Sequence, residues 1–203
     1  SCDAGPMQGS PMSEAPLTLA ASDFELFGIA QQFAQDRATL DARWKELQRE
    51  AHPDRFAAQD AATQRRAMQW SVRINEAYQR LKDPLKRAAY LCELAGVPVN
   101  AHDNTAMPAE FLMQQMAWRE ALDEAQDAEQ VQALLDTVMQ SREEALARCE
   151  QLLDREHDAP QAVGVVRALM FIERFCADID ARIDNLQSPS AAPAHGQGAA
   201  ERG

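Results

Sequence analysis

Glycine is scarce in this chain, 8 of 203 residues, and aromatic side chains make up only 6%. Sandwiches and barrels depend on glycine-rich turns and on aromatic and β-branched strands, so this shortage argues against them and favours helices built from Ala, Gln, Glu, Leu and Arg. Cations are outnumbered, 20 Lys and Arg against 32 Asp and Glu, giving a formal charge of −12. A surface of that sign excludes sequence-blind binding to nucleic-acid phosphates and leaves proteins or small molecules as partners. The four cysteines, Cys2, Cys92, Cys149 and Cys176, are far apart and form no C-x-x-C pair or Cys/His cluster. No zinc site is therefore expected, and the thiols read as free in a reducing compartment. No apolar run reaches the roughly 18 to 20 residues of a membrane span, and no basic stretch followed by an apolar one opens the chain, so a cytoplasmic location is expected.

What is present is helical periodicity with sharp punctuation. The charge divides the chain in two: residues 22–90 carry 12 cations against 10 anions, whereas residues 91–187 carry 7 against 19. Two modules with different electrostatic roles are implied. Residues 1–21 and 188–203 are expected to be unstructured, since the tail has no apolar side chain larger than Ala or Pro. Met12 reads as a natural start, with the first eleven residues an extraneous or misassigned addition.

In the first module, Ser22 and Glu25 form a capping box ahead of Phe24, Leu26 and Phe27. Asp36 can cap a second helix carrying Leu40, Trp44 and Leu47 at i, i+4 and i+7, with Arg37, Arg43, Lys45 and Arg49 projecting elsewhere. Pro53 ends that helix near Ala51 or His52, because the residue before a proline is driven out of the α region. A third helix spans about Ala61 to Leu81, with Ile74, Ala77, Tyr78 and Leu81 as its apolar stripe. Asp83-Pro84 then starts a fourth helix that Gly96 closes. The second module has three helical segments, opened by Pro108, running from Ala128 to about His157, and opened by Pro160 to end at Leu186; short connections imply an antiparallel bundle.

The His52-Pro53-Asp54 triplet thus stands at the tip of a helical hairpin, where Pro53 holds the loop and Asp54 projects from it. A carboxylate fixed on a tip is a good target for an arginine on another protein, and the neighbouring cations add a steering field. Proline is also a common helix stop, and a three-residue motif alone is weak. An enzyme using His52 and Asp54 as an acid–base pair has little support, because no nucleophile, phosphate loop or metal cluster accompanies them.

The stretches LQREAHPDRF and RINEAYQRLKDPLKRAAYL, with DFELFG ahead of them, resemble the J domain, the module that stimulates ATP hydrolysis by DnaK-type chaperones. More narrowly, FELFG, HPDRF, INEAYQRLKDPLKRAAYLCELAG and FLMQQMAWREALDE, spread over about residues 22–186, resemble the HscB-type co-chaperones of iron–sulfur cluster assembly. The resemblance implies an all-α fold: a J domain over 22–96, a linker over 97–107 and a C-terminal three-helix bundle over 108–187. It implies that His52, Pro53 and Asp54, helped by Arg43, Lys45, Arg49 and Arg55, engage an HscA/DnaK-type ATPase. The family commonly has Lys where Arg55 stands; the charge is kept, with a different hydrogen-bonding geometry.

In the second module the resemblance implies that Leu112, Met113, Met116, Ala117, Glu120, Glu124 and, from the last helix, Phe171 bind an IscU-type iron–sulfur scaffold through an apolar patch with an acidic rim. Ala117 departs from the acidic residue expected at its position. A Leu/Met stripe is more often core than interface, and Phe111, Ala121 and Leu122 offer an alternative core-facing set, with Trp118 ambiguous. No catalytic residue, metal, cofactor, nucleic acid or membrane partner is expected. A J-domain co-chaperone with a different client protein is the alternative.

Overall fold

The computed structural model describes residues 18–100 and 107–188, and every regular element among them is helical. The helices are α1 (Asp23–Phe27), α2 (Arg37–Ala51), α3 (Ala61–Lys82), α4 (Pro84–Leu94), α5 (Ala109–Glu124), α6 (Ala128–Glu150) and α7 (Ala159–Gln187); a 3-10 turn, Pro53–Phe56, separates α2 from α3. Of the ends expected to be unstructured and the expected linker, only residues 18–21, 97–100, 107 and 188 fall within the described chain. Contacts divide the chain into two compact units at Asp83 and Pro84.

The first unit is built by its caps. Ser22 Oγ accepts the amide of Glu25 to start α1, and Gly28, at φ 64, ends it by donating to the Glu25 carbonyl. That left-handed conformation is the one glycine adopts without penalty. Asp36 caps α2 by accepting from Thr39 N, and Asp60 caps α3 by accepting from Thr63 N. Helices α2 and α3 form the expected hairpin, burying Leu40 and Leu47 against Ile74, Ala77, Tyr78 and Leu81, with Phe24, Leu26 and Phe27 of α1 also in the core. Trp44, expected on the same stripe, is only half-buried; its ring stacks on Tyr78 at 4.8 Å and its indole N–H donates to Asn75 Oδ1.

Asp23 carries more than a helix start. Its carboxylate is fully buried and takes both Nε and Nη2 of Arg80 together with Arg73 Nη2, tying α1 to α3. Arg73 also donates to the carbonyls of Leu19 and Ala21. A buried carboxylate between two guanidiniums is tolerated because its charge is matched and its lone pairs are filled.

By its contacts α4 groups with the bundle helices in the second unit. The reason lies in α4 itself: Leu85, Ala88, Leu91 and Cys92 are all buried, and the helix packs on α7 and α6. Asp83, at φ −94 and ψ 116, breaks the helical path just ahead of Pro84 as a pre-proline residue should. The start of the expected linker is also pinned, since buried Val99 accepts 2.8 Å from Arg167 Nη2 of α7. Helix α6 runs on through a π turn, Gln151–Arg155, and His157 at φ 52 lets the chain reverse into α7. Val131, Val138, Leu152, Val166, Ile172, Phe175 and Ile179 fill the core between them.

Cys92 and Cys149 lie fully inside this core. Burial pushes the Cys92 thiol up to about 11 and the Cys149 thiol up to about 12, from an ordinary value of 9.0. Both thiols stay protonated at neutral pH and are shut off from solvent, so an aromatic disulfide reagent at about pH 8 should reach half-buried Cys176, whose thiol is also pushed up by burial, before Cys92 and Cys149, which react only on unfolding. Rapid native-state modification of either would show that the core is open. The same shifts set a sign for stability. The unfolded thiols lose their protons first, so the full contribution is present below pH 9.0 and is lost as pH rises from there through about 11 to 12.

Candidate partner-binding sites

Pro53 leaves His52 extended, at φ −60 and ψ 128, and starts a single 3-10 turn. His52 Nδ1 accepts from the backbone amide of Asp54 at 3.2 Å, so the imidazole caps the turn and keeps its Nε2 edge for solvent. The Asp54 side chain is 94% exposed, with one carboxylate oxygen 3.7 Å from His52 Nδ1. Gln64 of α3 fastens the loop from behind by donating to the carbonyls of Ala57 and Gln59. Beneath the tip an apolar hollow is lined by Leu47, Ala51, Phe56, Ala67, Trp70 and Ile74. The tip is thus a held presentation of an imidazole edge and a free carboxylate, with exposed Arg55 beside them.

Of the cations expected to flank it, Lys45 and Arg49 are exposed and sit at i and i+4 in the row that leads to His52. Arg43 does not belong with them. Two positions from Lys45 on a helix it points to the opposite side, where its Nε donates to the Phe27 carbonyl at 3.0 Å and Nη1 pairs with Glu46 at 3.1 Å. Its role is to fasten the end of α1 to α2.

On α5, Leu112, Met113 and Met116 are 46%, 73% and 74% exposed, which settles their stripe as surface rather than core. Ala117, Glu120 and Glu124 are exposed beside them. The opposite side of the helix is the buried one: Trp118 is 5% exposed, stacks on Phe175 of α7 and meets Phe111 edge-on. Ala121, expected as a possible core position, is exposed.

Phe171 does not join the exposed patch. It is 5% exposed, stacked on Phe175 at 5.5 Å and edge-on to Phe111 at 5.8 Å, because its position on α7 faces the seam where α5 packs. Arg119 completes its burial: the guanidinium carbon lies 5.3 Å from the Phe171 ring centre and 5.9 Å from that of Phe175. Sequence reading singled out neither Arg119 nor the exposed pair Met68 and Val72 on α3. A cation three residues after Met116, on the helix margin between patch and seam, was the available signal for the first.

Among the described residues no group of three or more His, Cys, Asp or Glu is placed to hold a metal, and no helix is long and apolar enough to cross a membrane. Residues 107–180 match a family model described as the HSCB C-terminal oligomerisation domain. A co-chaperone protein HscB homolog from Burkholderia thailandensis is 51% identical over 174 residues, covering 84% of this chain and 99% of the relative. The homolog from Burkholderia multivorans is 48% identical over 175 residues, at 85% and 99%. Among solved structures, chaperone HscB from Vibrio cholerae superposes with a TM-score of 0.71 at 32% identity, covering 82% of this chain and 99% of that one. Human co-chaperone HscB shares the fold, with a TM-score of 0.75 at 23% identity over 89% and 94% of the two chains. With half of the aligned residues identical across nearly the whole of a curated relative, and the J-domain tip and C-terminal helical bundle both in place, the chain belongs to the HscB family of co-chaperones.

Proposed function

We propose that the protein stimulates ATP hydrolysis by an HscA/DnaK-type chaperone through its hairpin tip, and brings to that chaperone an IscU-type scaffold held on α5. It performs no chemistry on a substrate of its own. The observation that carries this reading is the α5 surface: three large apolar side chains exposed together beside Glu120 and Glu124. Soluble proteins expose such clusters where a partner covers them, and flexible, polarizable methionines suit an adaptable contact. The tip supplies the second contact. Asp54 offers a carboxylate to an arginine, His52 an imidazole edge, and Lys45 and Arg49 a positive field that orients the encounter. The ATPase itself remains the chaperone's, and the tip favours its hydrolysis-competent conformation by binding that conformation better.

The test is the ATPase rate of an HscA-type chaperone with this protein and an IscU-type scaffold, added separately and together. The expected result is stimulation by the protein alone and more than additive stimulation with the scaffold; an additive result would remove the scaffold from the reading. In the same assay Lys45→Glu/Arg49→Glu should slow chaperone association several-fold at low salt, and much less at about 0.5 M, where screening is strong. Scaffold affinity should not change. An equal loss in both would mean that the substitutions had damaged the fold, as Arg43→Glu is expected to do by breaking the α1–α2 tie.

A further inference from the structure

Arg119 is the one cation on α5, and it borders the exposed patch on the side opposite Glu124. Helical spacing makes this so: Arg119 lies seven residues after Leu112 and three after Met116, at the margin nearest α7, while Glu120 falls between Met116 and Met113 and Glu124 lies beyond Met113 on the far side. The guanidinium rests on Phe171 and Phe175, so ring faces hold its plane. Its ion pair is loose: Nη1 stands 3.9 Å from Asp178 Oδ2, and the two side chains are 58% and 56% exposed. The side chain is therefore oriented without being neutralised, a fork of donors set at the edge of an apolar surface.

We propose that Arg119 is a specificity-determining residue of the α5 docking face, taking a carboxylate of the bound scaffold and so fixing the orientation in which the scaffold sits. The inference rests on the reading of that face as the scaffold site. The face has its single cation at the margin nearest α7, where Asp123 and Asp178 are also exposed, and its carboxylates Glu120 and Glu124 within and beyond the apolar row. A partner with a carboxylate and a cation on either side of an apolar patch matches it one way round; turned about, it meets like charges in a desolvated contact. Phe171 then has a positioning role from within the core: its ring keeps the fork level, so that less side-chain freedom is lost when the carboxylate arrives.

The experiment measures the affinity of the full chain for the apo form of an IscU-type scaffold from a Burkholderia species, using wild type, Arg119→Met and Arg119→Lys at about 0.05 M and about 0.5 M salt. Arg119→Met keeps the apolar cover over the rings and should weaken binding about tenfold with a flatter salt dependence, whereas Arg119→Lys, which keeps charge without the planar fork, should fall between. Melting temperatures should stay together. In labelled wild-type protein the Arg119 Nε–H resonance should move downfield on saturation with scaffold, as a charged hydrogen bond forms. Binding by both variants within twofold of wild type, or an unmoved resonance in the complex, overturns the role of Arg119 while leaving the docking face in place. Failure of wild type to bind removes the face itself, and the inference with it.

Discussion

Asp54→Asn is expected to abolish stimulation of the chaperone ATPase, by tenfold or more, while helicity, scaffold binding and melting temperature stay as they are. The substitution keeps size and one carbonyl oxygen, so a role for Asp54 in holding the loop would be largely preserved. What it removes is the negative charge, and with it the charge-assisted, bidentate pairing that an arginine makes with a carboxylate. With its side chain 94% exposed, Asp54 has little to lose locally, and a surface change of this kind should shift melting by less than about 3 °C. His52 allows a sharper separation. Its Nδ1 caps the turn by accepting from Asp54 N, and the Oδ1 of an asparagine occupies much the same place. His52→Asn should therefore keep the turn and lose the Nε2 edge, whereas His52→Gln loses the cap and places a polar group near Nε2. If the imidazole contacts the chaperone, both variants are inactive. If His52→Asn stimulated like wild type, the histidine would be a cap and nothing more.

How far the fold could be read from the sequence depended on whether the signal was local. Caps and breakers are local: Ser22, Asp36, Asp83-Pro84 and Pro160 stood where helices begin or end, and the structure puts the boundaries within a residue or two of them. Faces were legible where one residue type filled one face, as with Ile74, Ala77, Tyr78 and Leu81. Tertiary partners were not legible. Asp23 looked like one more acidic residue in a first turn, and nothing near it in sequence points to Arg73 and Arg80, 50 and 57 residues away. The packing partner of α4 was hidden in the same way, since its apolar surface is visible in the sequence but the helix it meets is α7. Arg43 differs from its neighbours for a local reason: two positions from Lys45, it lies on the other side of α2, against the Phe27 carbonyl. In the candidate site, the tip and the α5 stripe were legible through family motifs. The burial of Phe171 was not, because it depends on which of two helix margins faces the seam.

That burial changes what the α5 face should show when it is cut back. Leu112→Ser/Met113→Ser/Met116→Ser removes the centre of an exposed patch, so the melting temperature should fall by no more than a few degrees. Scaffold affinity should drop by roughly a hundredfold or more, since truncating clustered central anchors costs about 2 kcal/mol or more at the strongest positions, with neighbours not additive. Basal stimulation of the chaperone, which uses the tip, should survive. Phe171→Ser should behave in the opposite way. It deletes a ring that stacks on Phe175, meets Phe111 edge-on and lies under Arg119, and it leaves a cavity holding a hydroxyl. Large-to-small changes at such aromatic positions cost roughly 3 to 5 kcal/mol, which in a unit of this size lowers melting by roughly 10 to 20 °C. A Met113→Ser/Phe171→Ser protein, which would melt normally if Phe171 lay on the docking face as the resemblance implies, should therefore melt early, with the loss traceable to Phe171 alone. Early melting of the α5 triple variant would mean that the stripe is core after all, and normal melting of Phe171→Ser would mean that its ring is not. A stable triple variant beside an unstable Phe171→Ser would place the line between docking face and core along the margin that Arg119 occupies.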